Sequence, residues 1–258
     1  MVPALLTLTL ASCSPRSSEL TDPVPQSVPT PAAAAGVEAQ TTEPSPSPTP
    51  AASPAVQATR PPPSPKPAAT SEFSGTIAQV DPARLTHSWR PGCPVGPDEL
   101  RILTVSHWGF DGTIKFGELV VNRTQADNVI AAMRKLFDLK FPIERIELVD
   151  KYQGDDDLSV AANNTSAFNC RSVTGRPGVW SQHAYGWAID INPVQNPFIS
   201  SGKVTPPSAE SYRDRSQQRP GMIHANDAVV KAFSSIGWEW GGYWNNPKDY
   251  QHFSLTGG

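Results

Sequence analysis

No aromatic residue occurs before Phe73 in this chain of 258 residues, although seven Trp, five Tyr and nine Phe lie at or after it. A packed core needs such side chains, so one globular domain is expected over residues 73–258, large enough to bury roughly 70% of its unfolded surface. The chain also lacks a surplus of charge: its formal net charge is −3 with a pI near 5.9. Without a basic excess, nucleic acid is set aside as a partner class. No apolar run approaches the about 20 residues that a membrane-spanning helix needs. Cysteine is scarce, with Cys13, Cys93 and Cys170 alone, and no Cys-x-x-Cys spacing offers a zinc-thiolate site. There are only five histidines.

The opening segment, residues 1–13, reads MVPALLTLTLASC, a short apolar run that ends in small residues and Cys13. It fits an export signal. Leu-Ala-Ser-Cys at its end resembles the lipobox of bacterial lipoproteins, which implies lipidation at Cys13, a lipid anchor in a membrane and an extracytoplasmic location. The alternative is an ordinary signal peptide and a secreted protein; the apolar run has no preceding Lys or Arg. Residues 14–72 carry 15 prolines among Ala, Ser and Thr. That composition cannot bury enough apolar surface to offset its ordering entropy, and is read as a disordered linker. If Cys13 is lipidated, Cys93 and Cys170 remain as an even pair in an exported domain, for which a disulfide is the expectation and two free thiols the alternative. The bridge would add about 4 kcal/mol on the chain-entropy model.

Within residues 73–258 the element order points to an α+β domain on an antiparallel sheet with flanking helices. LRILTVSHWGF (100–110) and TIKFGELVV (113–121) flank Asp111-Gly112, a pair that favours a two-residue hairpin turn. A helix capped by Thr124 is predicted to run to Asp138, with Val129, Met133 and Phe137 on one stripe. FPIERIELVD (141–150) reads as a strand. A second helix is predicted from Ile223 to Ile236, stopped by Gly237.

Two stretches carry chemistry. SQHAYGWAID (181–190) holds His183 and Asp190, and DYQHF (249–253) holds Asp249 and His252. Gly186 permits a bend, after which strand alternation puts Ala188 and Asp190 on one face and Trp187, Ile189 and Ile191 on the other. A carboxylate in so apolar a strand has a high desolvation cost unless a cation pairs with it. His183, Asp190 and His252 would form a two-imidazole, one-carboxylate set, which suits catalytic zinc with one position left open. Asp249 is three residues before His252, close enough to act as general acid/base without being a ligand. Glu239, in GWEWGG, ranks behind it.

The pattern S-x-H-x-x-G-x-A-x-D at 181–190, then GWEWGGYW at 237–244 and D-x-x-H-F at 249–253, resembles the zinc D-Ala-D-Ala carboxypeptidases of the VanY type. It also resembles the related L-alanyl-D-glutamate endopeptidases, which share their fold with the hedgehog signalling domain. The resemblance extends over about Ser88 to Leu255. It implies zinc binding by His183, Asp190 and His252, and a catalytic base at Asp249, where an Asp sides with the endopeptidases and a Glu with the dipeptidases. It further implies that Arg171 in SAFNCR holds the scissile carbonyl or its oxyanion, and that Ser181 contacts substrate. The substrate implied is the peptidoglycan stem peptide.

Bland readings stand beside these. Arg171 could pair with one of Asp155, Asp156 or Asp157, and that triple Asp reads as a solvated loop. His87, His107 and His224 have no partner pattern and are read as structural. Trp238, Trp240, Tyr243 and Trp244 are read as core and cleft wall. Two function classes result: a monomeric zinc metallopeptidase acting at D-Ala-D-Ala or L-Ala-D-Glu, or a noncatalytic cell-wall-binding domain of the same fold, which would have no need of Asp249.

Overall fold

A computed structural model describes residues 72–257. The expected signal and lipidation segment, and the linker up to residue 71, lie outside these residues. Gly75–Gln79 (β1), Leu100–Trp108 (β2) and Ile114–Asn122 (β3) form an antiparallel sheet in the order β1-β2-β3. Alternation along β2 and β3 serves two cores at once, because successive side chains leave opposite faces of a strand. Leu103, Val105, Leu119 and Val121 point into the larger core; Leu100, Ile102 and Val120 point into a smaller one with Val80, Leu85 and Phe168.

The β2–β3 connection is longer than the two-residue turn expected. It runs from Gly109 to Thr113, because the Asp111 carboxylate accepts from both Thr113 N and Oγ1, and Gly109 N donates to Thr113 O. Helix α1 spans Ala126–Asp138, and Val129, Met133 and Phe137 are buried as their spacing predicts. Thr124 does not cap it. Its amide and hydroxyl instead donate to Asn122 Oδ1, and Gln125 occupies the cap position without a side-chain bond to the helix backbone.

The segment 141–150 keeps only Arg145–Ile146 as strand (β4), and Val149–Tyr152 coils into a 3-10 turn. Helix α2 (Asp156–Ala161) follows, and Asn164–Thr165 (β5) pairs with β4 in parallel. Ser172–Val173 (β6) and Arg176–Trp180 (β7) make a hairpin that leads into the single-turn helix α3 (Gln182–Tyr185) and strand β8 (Ala188–Asp190). Phe198–Ser200 (β9) and Lys203–Thr205 (β10) form a second hairpin. The helix expected from Ile223 is shorter: α4 spans Ala228–Ser234, since Asp227 caps it by accepting from Val230 N while also receiving His224 N.

The chain ends with Glu239–Trp240 (β11), Lys248–Asp249 (β12) and His252–Ser254 (β13). Strand β13 lies between β11 and β8, whereas β12 joins β9 and β10. The fold is therefore α+β and mainly antiparallel, as expected, but its strands divide among five small sheets. Helix α1 packs between the first sheet and the α4–β13–β8 layer, where Phe233 stacks on Phe253 at 4.2 Å between centroids. This packing presents the ends of β8 and β13 to one cleft.

Candidate metal centre

His183 is held by a local device. Ser181 Oγ accepts the His183 amide at 3.3 Å as the cap of α3, and Gly186 ends the turn at φ 69. A Cβ at Gly186 would stand 2.4 Å from Asn122 N, so both the left-handed backbone and the close approach to β3 require glycine. The short turn then feeds directly into β8. Asp190 on β8 sits opposite His252 on β13 in the antiparallel register, which puts their side chains on the same face.

The three side chains converge. His183 Nε2 is 3.2 Å from Asp190 Oδ2 and 3.3 Å from His252 Nδ1, and His252 Nδ1 is 2.9 Å from Asp190 Oδ1. One ligand atom from each lies within 4.8 Å of the others, and all three residues are buried. His183 Nδ1 is 2.6 Å from the Ala167 carbonyl oxygen. A carbonyl only accepts, so Nδ1 carries a proton there and Nε2 is the atom aimed at the cluster, the one whose lone pair a metal would take. Two imidazole nitrogens and a carboxylate, dry and facing one another, fit a divalent transition metal. Burial pushes the Asp190 carboxyl up, but the charges and hydrogen bonds of His183 and His252 outweigh it and hold this acid well below the usual carboxylate range. The geometry thus brings together the three residues singled out as ligands, and His87, His107 and His224 stand outside the group.

Asp249 enters from the neighbouring sheet. The chain leaves β12 and joins β13 within three residues, so Asp249 and His252 reach the same cleft from different sheets. Gly241 lets the chain pass close by, as a Cβ there would lie 2.7 Å from Asp249 O. The Asp249 side chain is buried, and Oδ1 has no hydrogen-bond partner among the described residues. Burial, then the charge of Asp190, push its carboxyl up to about 7, against the opposing pull of His252 and Arg171. Glu239 is exposed on β11, opposite Ser254, and does not line the cleft.

The cleft has a volume of about 780 Å³ and is lined by Arg171, Ser181, Asp249 and the three convergent residues. The hairpins β6–β7 and β9–β10 contribute Arg176 and Lys203 to its walls. Cys93 and Cys170 form the expected disulfide, next to Arg171. Ser181 lines the cleft, but its hydroxyl is engaged as a helix cap. Trp244 forms a wall with its ring 5.4 Å from His252, whereas Trp238 and Trp240 belong to the core.

The triple Asp is solvent-facing but is not a loop: it starts α2. Asp155 caps α2 by accepting from Leu158 N, Asp156 pairs with Arg171, and Asp156 and Asp157 both line the cleft. The pairing of Arg171 with one of these acids was expected from the sequence; the Asp155 cap and the place of Asp156 and Asp157 on the cleft wall were not. The visible signal was an Asp in cap position before a short helix, but nothing local showed which way the next carboxylate would face. The Ala167 carbonyl was likewise invisible, because a backbone contact leaves no mark on residue type.

No curated protein and no solved structure matches the chain. A family model does match, over residues 174–255, and is described as D-alanyl-D-alanine carboxypeptidase. Ser181, His183, Asp190, Asp249 and His252 fall inside the matched segment; Arg171 and the β1–β3 sheet fall outside it. The segment that carries the convergent His-Asp-His group is therefore similar to a family of D-alanyl-D-alanine carboxypeptidases.

Proposed function

We propose that the protein is a zinc-dependent metallopeptidase that hydrolyses peptidoglycan stem peptides as a D-alanyl-D-alanine carboxypeptidase. The observation that carries this reading is the buried group of His183, Asp190 and His252, with the buried carboxyl of Asp249 in the same cleft. A zinc ion held by those three residues would supply a Lewis acid able to activate water near neutral pH. The Asp249 carboxylate takes the proton of the attacking water and returns it to the nitrogen of the departing D-alanine. A carboxyl pushed up to about 7 can do both at physiological pH. The Arg171 guanidinium faces the scissile carbonyl oxygen as negative charge develops there. Burial of Asp190 keeps water from competing for the ligand atoms. Ser181 orients His183 and, on the cleft wall, contacts substrate.

A metal-binding domain without catalysis has no use for a buried, unpartnered carboxyl at Asp249. A second peptidase reading, cleavage of L-Ala-D-Glu, is favoured by one feature: the acid is Asp and not Glu, as in the endopeptidases that the sequence resembles. The disulfide and the peptidase-family match support an extracytoplasmic location. We place the peptidase domain at residues 73–258, on a linker anchored through lipidated Cys13.

Muropeptides incubated with zinc-loaded protein and followed by mass spectrometry test the proposal. Loss of a single terminal alanine is the expected result. Cleavage between L-Ala and D-Glu would establish the second reading instead, and unchanged masses would overturn both.

A further inference from the structure

Arg171 Nε lies 3.0 Å from Asp156 Oδ1, both residues line the metal cleft, and their side chains are only 23% and 29% exposed. Arg171 Nη1 donates to the Ser172 carbonyl at 3.4 Å, and Nη2 makes no hydrogen bond among the described residues. Nε itself is buried, and its N–H is not aligned on Asp156, so the contact is an ion pair and not a directed hydrogen bond. Nε and Nη1 thus each have an acceptor beside them, and the Nη2 amino group, which shares its edge of the fork with Nε, is left for an acceptor.

Asp156 is itself fixed. It is the first residue of α2, placed there by the Asp155 cap, and α2 packs against the Val149–Tyr152 turn and β5. The backbone on the Arg171 side is pinned by the disulfide at Cys170, by Cys170 N to Ser88 O at 2.9 Å and by Ser181 N to Arg171 O at 3.1 Å. Both ends of the pair are therefore anchored to different parts of the fold, and only the long Arg171 side chain is free to swing. A planar fork is useful for carbonyl recognition only if its plane is set beforehand.

We propose that Asp156 is a positioning residue: it sets the plane of the Arg171 guanidinium so that the Nη2 amino group meets the carbonyl oxygen of the bound peptide. The proposal rests on the peptidase reading above. Because Asp156 acts through Arg171, its removal costs nothing further once Arg171 is gone.

A double-mutant cycle on stem-peptide hydrolysis tests this. Asp156→Ala and Asp156→Asn should each lower kcat by about 10–100-fold with little change in KM, since the loss falls on a group that acts as the oxyanion forms. Asp156→Glu should recover part of that loss. In an Arg171→Ala background, Asp156→Ala should change kcat less than about twofold. A readout independent of turnover is 15Nε relaxation of Arg171 in metal-free protein, which should report a more mobile guanidinium in Asp156→Asn. Wild-type kcat in Asp156→Asn, losses that multiply in the double variant, or an unchanged Arg171 order parameter would each overturn the positioning role while leaving the peptidase intact. A wild-type protein inactive on every stem peptide would remove both.

Discussion

At the scale of single residues, the site sets two acids against each other. Asp190 is stabilised as an anion between two imidazoles, whereas burial and the neighbouring Asp190 charge push the Asp249 carboxyl up to about 7. Replacing Asp190 by Asn should weaken metal binding by more than the 10–100-fold typical of lost supporting groups, as measured by competition with a chromophoric chelator. Asp249→Asn should leave metal content near stoichiometric by elemental analysis and lower kcat by about 10²–10⁴. Loss of the metal would instead make Asp249 a ligand. The two acids also differ in how they link stability to pH. Folding raises the Asp249 carboxyl from 3.8 to about 7, so between those values the metal-free fold holds a proton that the unfolded chain has released. Stability from this group is therefore present at low pH and is lost as the pH rises through that window. Metal-free Asp249→Asn should melt roughly 5 °C above wild type at pH 8, and the difference should vanish toward pH 4. Asp190 acts in the opposite sense, stabilising above the ordinary carboxylate range and ceasing to do so on acidification.

At the scale of elements, the site depends on one helical turn leading straight into a strand. Seven positions separate His183 from Asp190, and only the left-handed bend at Gly186 brings their side chains to a common point. Gly186→Ala introduces both an unfavourable φ and a Cβ 2.4 Å from Asn122 N. It should cost about 1–3 kcal/mol, visible as a lower melting temperature, and should reduce metal occupancy in the same protein. The turn and its glycine were legible in S-x-H-x-x-G. The strand expected over residues 141–150 was not correct. Its apolar residues bury at Ile143, Ile146 and Val149, a spacing of three that suits irregular chain and a 3-10 turn better than a pleated strand. Hydrophobicity was read correctly there and its period was not. The long α4 expected from Ile223 failed for another reason: Asp227 uses its carboxylate to cap a later start.

At the scale of the whole molecule, the disulfide ties residues 77 apart and brings Cys170, beside Arg171, to the smaller core. Replacing both cysteines by Ser should lower stability by about 4 kcal/mol, or roughly 10 °C in a domain of this size by calorimetry. If Arg171 has the role proposed for it, activity should fall more than stability alone explains, because the backbone that carries Arg171 loosens. Among the described residues no helix is long and apolar enough to cross a membrane.

The sequence by itself determined the chemistry: which imidazoles and carboxylates could form a ligand set, which acid lay near it without joining it, and which cysteines could pair. Such candidates are legible because donor type and local spacing restrict what a metal can accept, and the structure brings the three candidate ligand side chains together and joins Cys93 to Cys170. Only the tertiary structure decided how the cleft is assembled. The register that sets Asp190 against His252, the passage from one sheet to another between Asp249 and His252, the Ala167 carbonyl behind His183 and the carboxylate of Asp156 behind Arg171 are all contacts across distant parts of the chain. Residue identity limits what each of these groups can bond, but the packing of α1 between its two layers settles which of them meet.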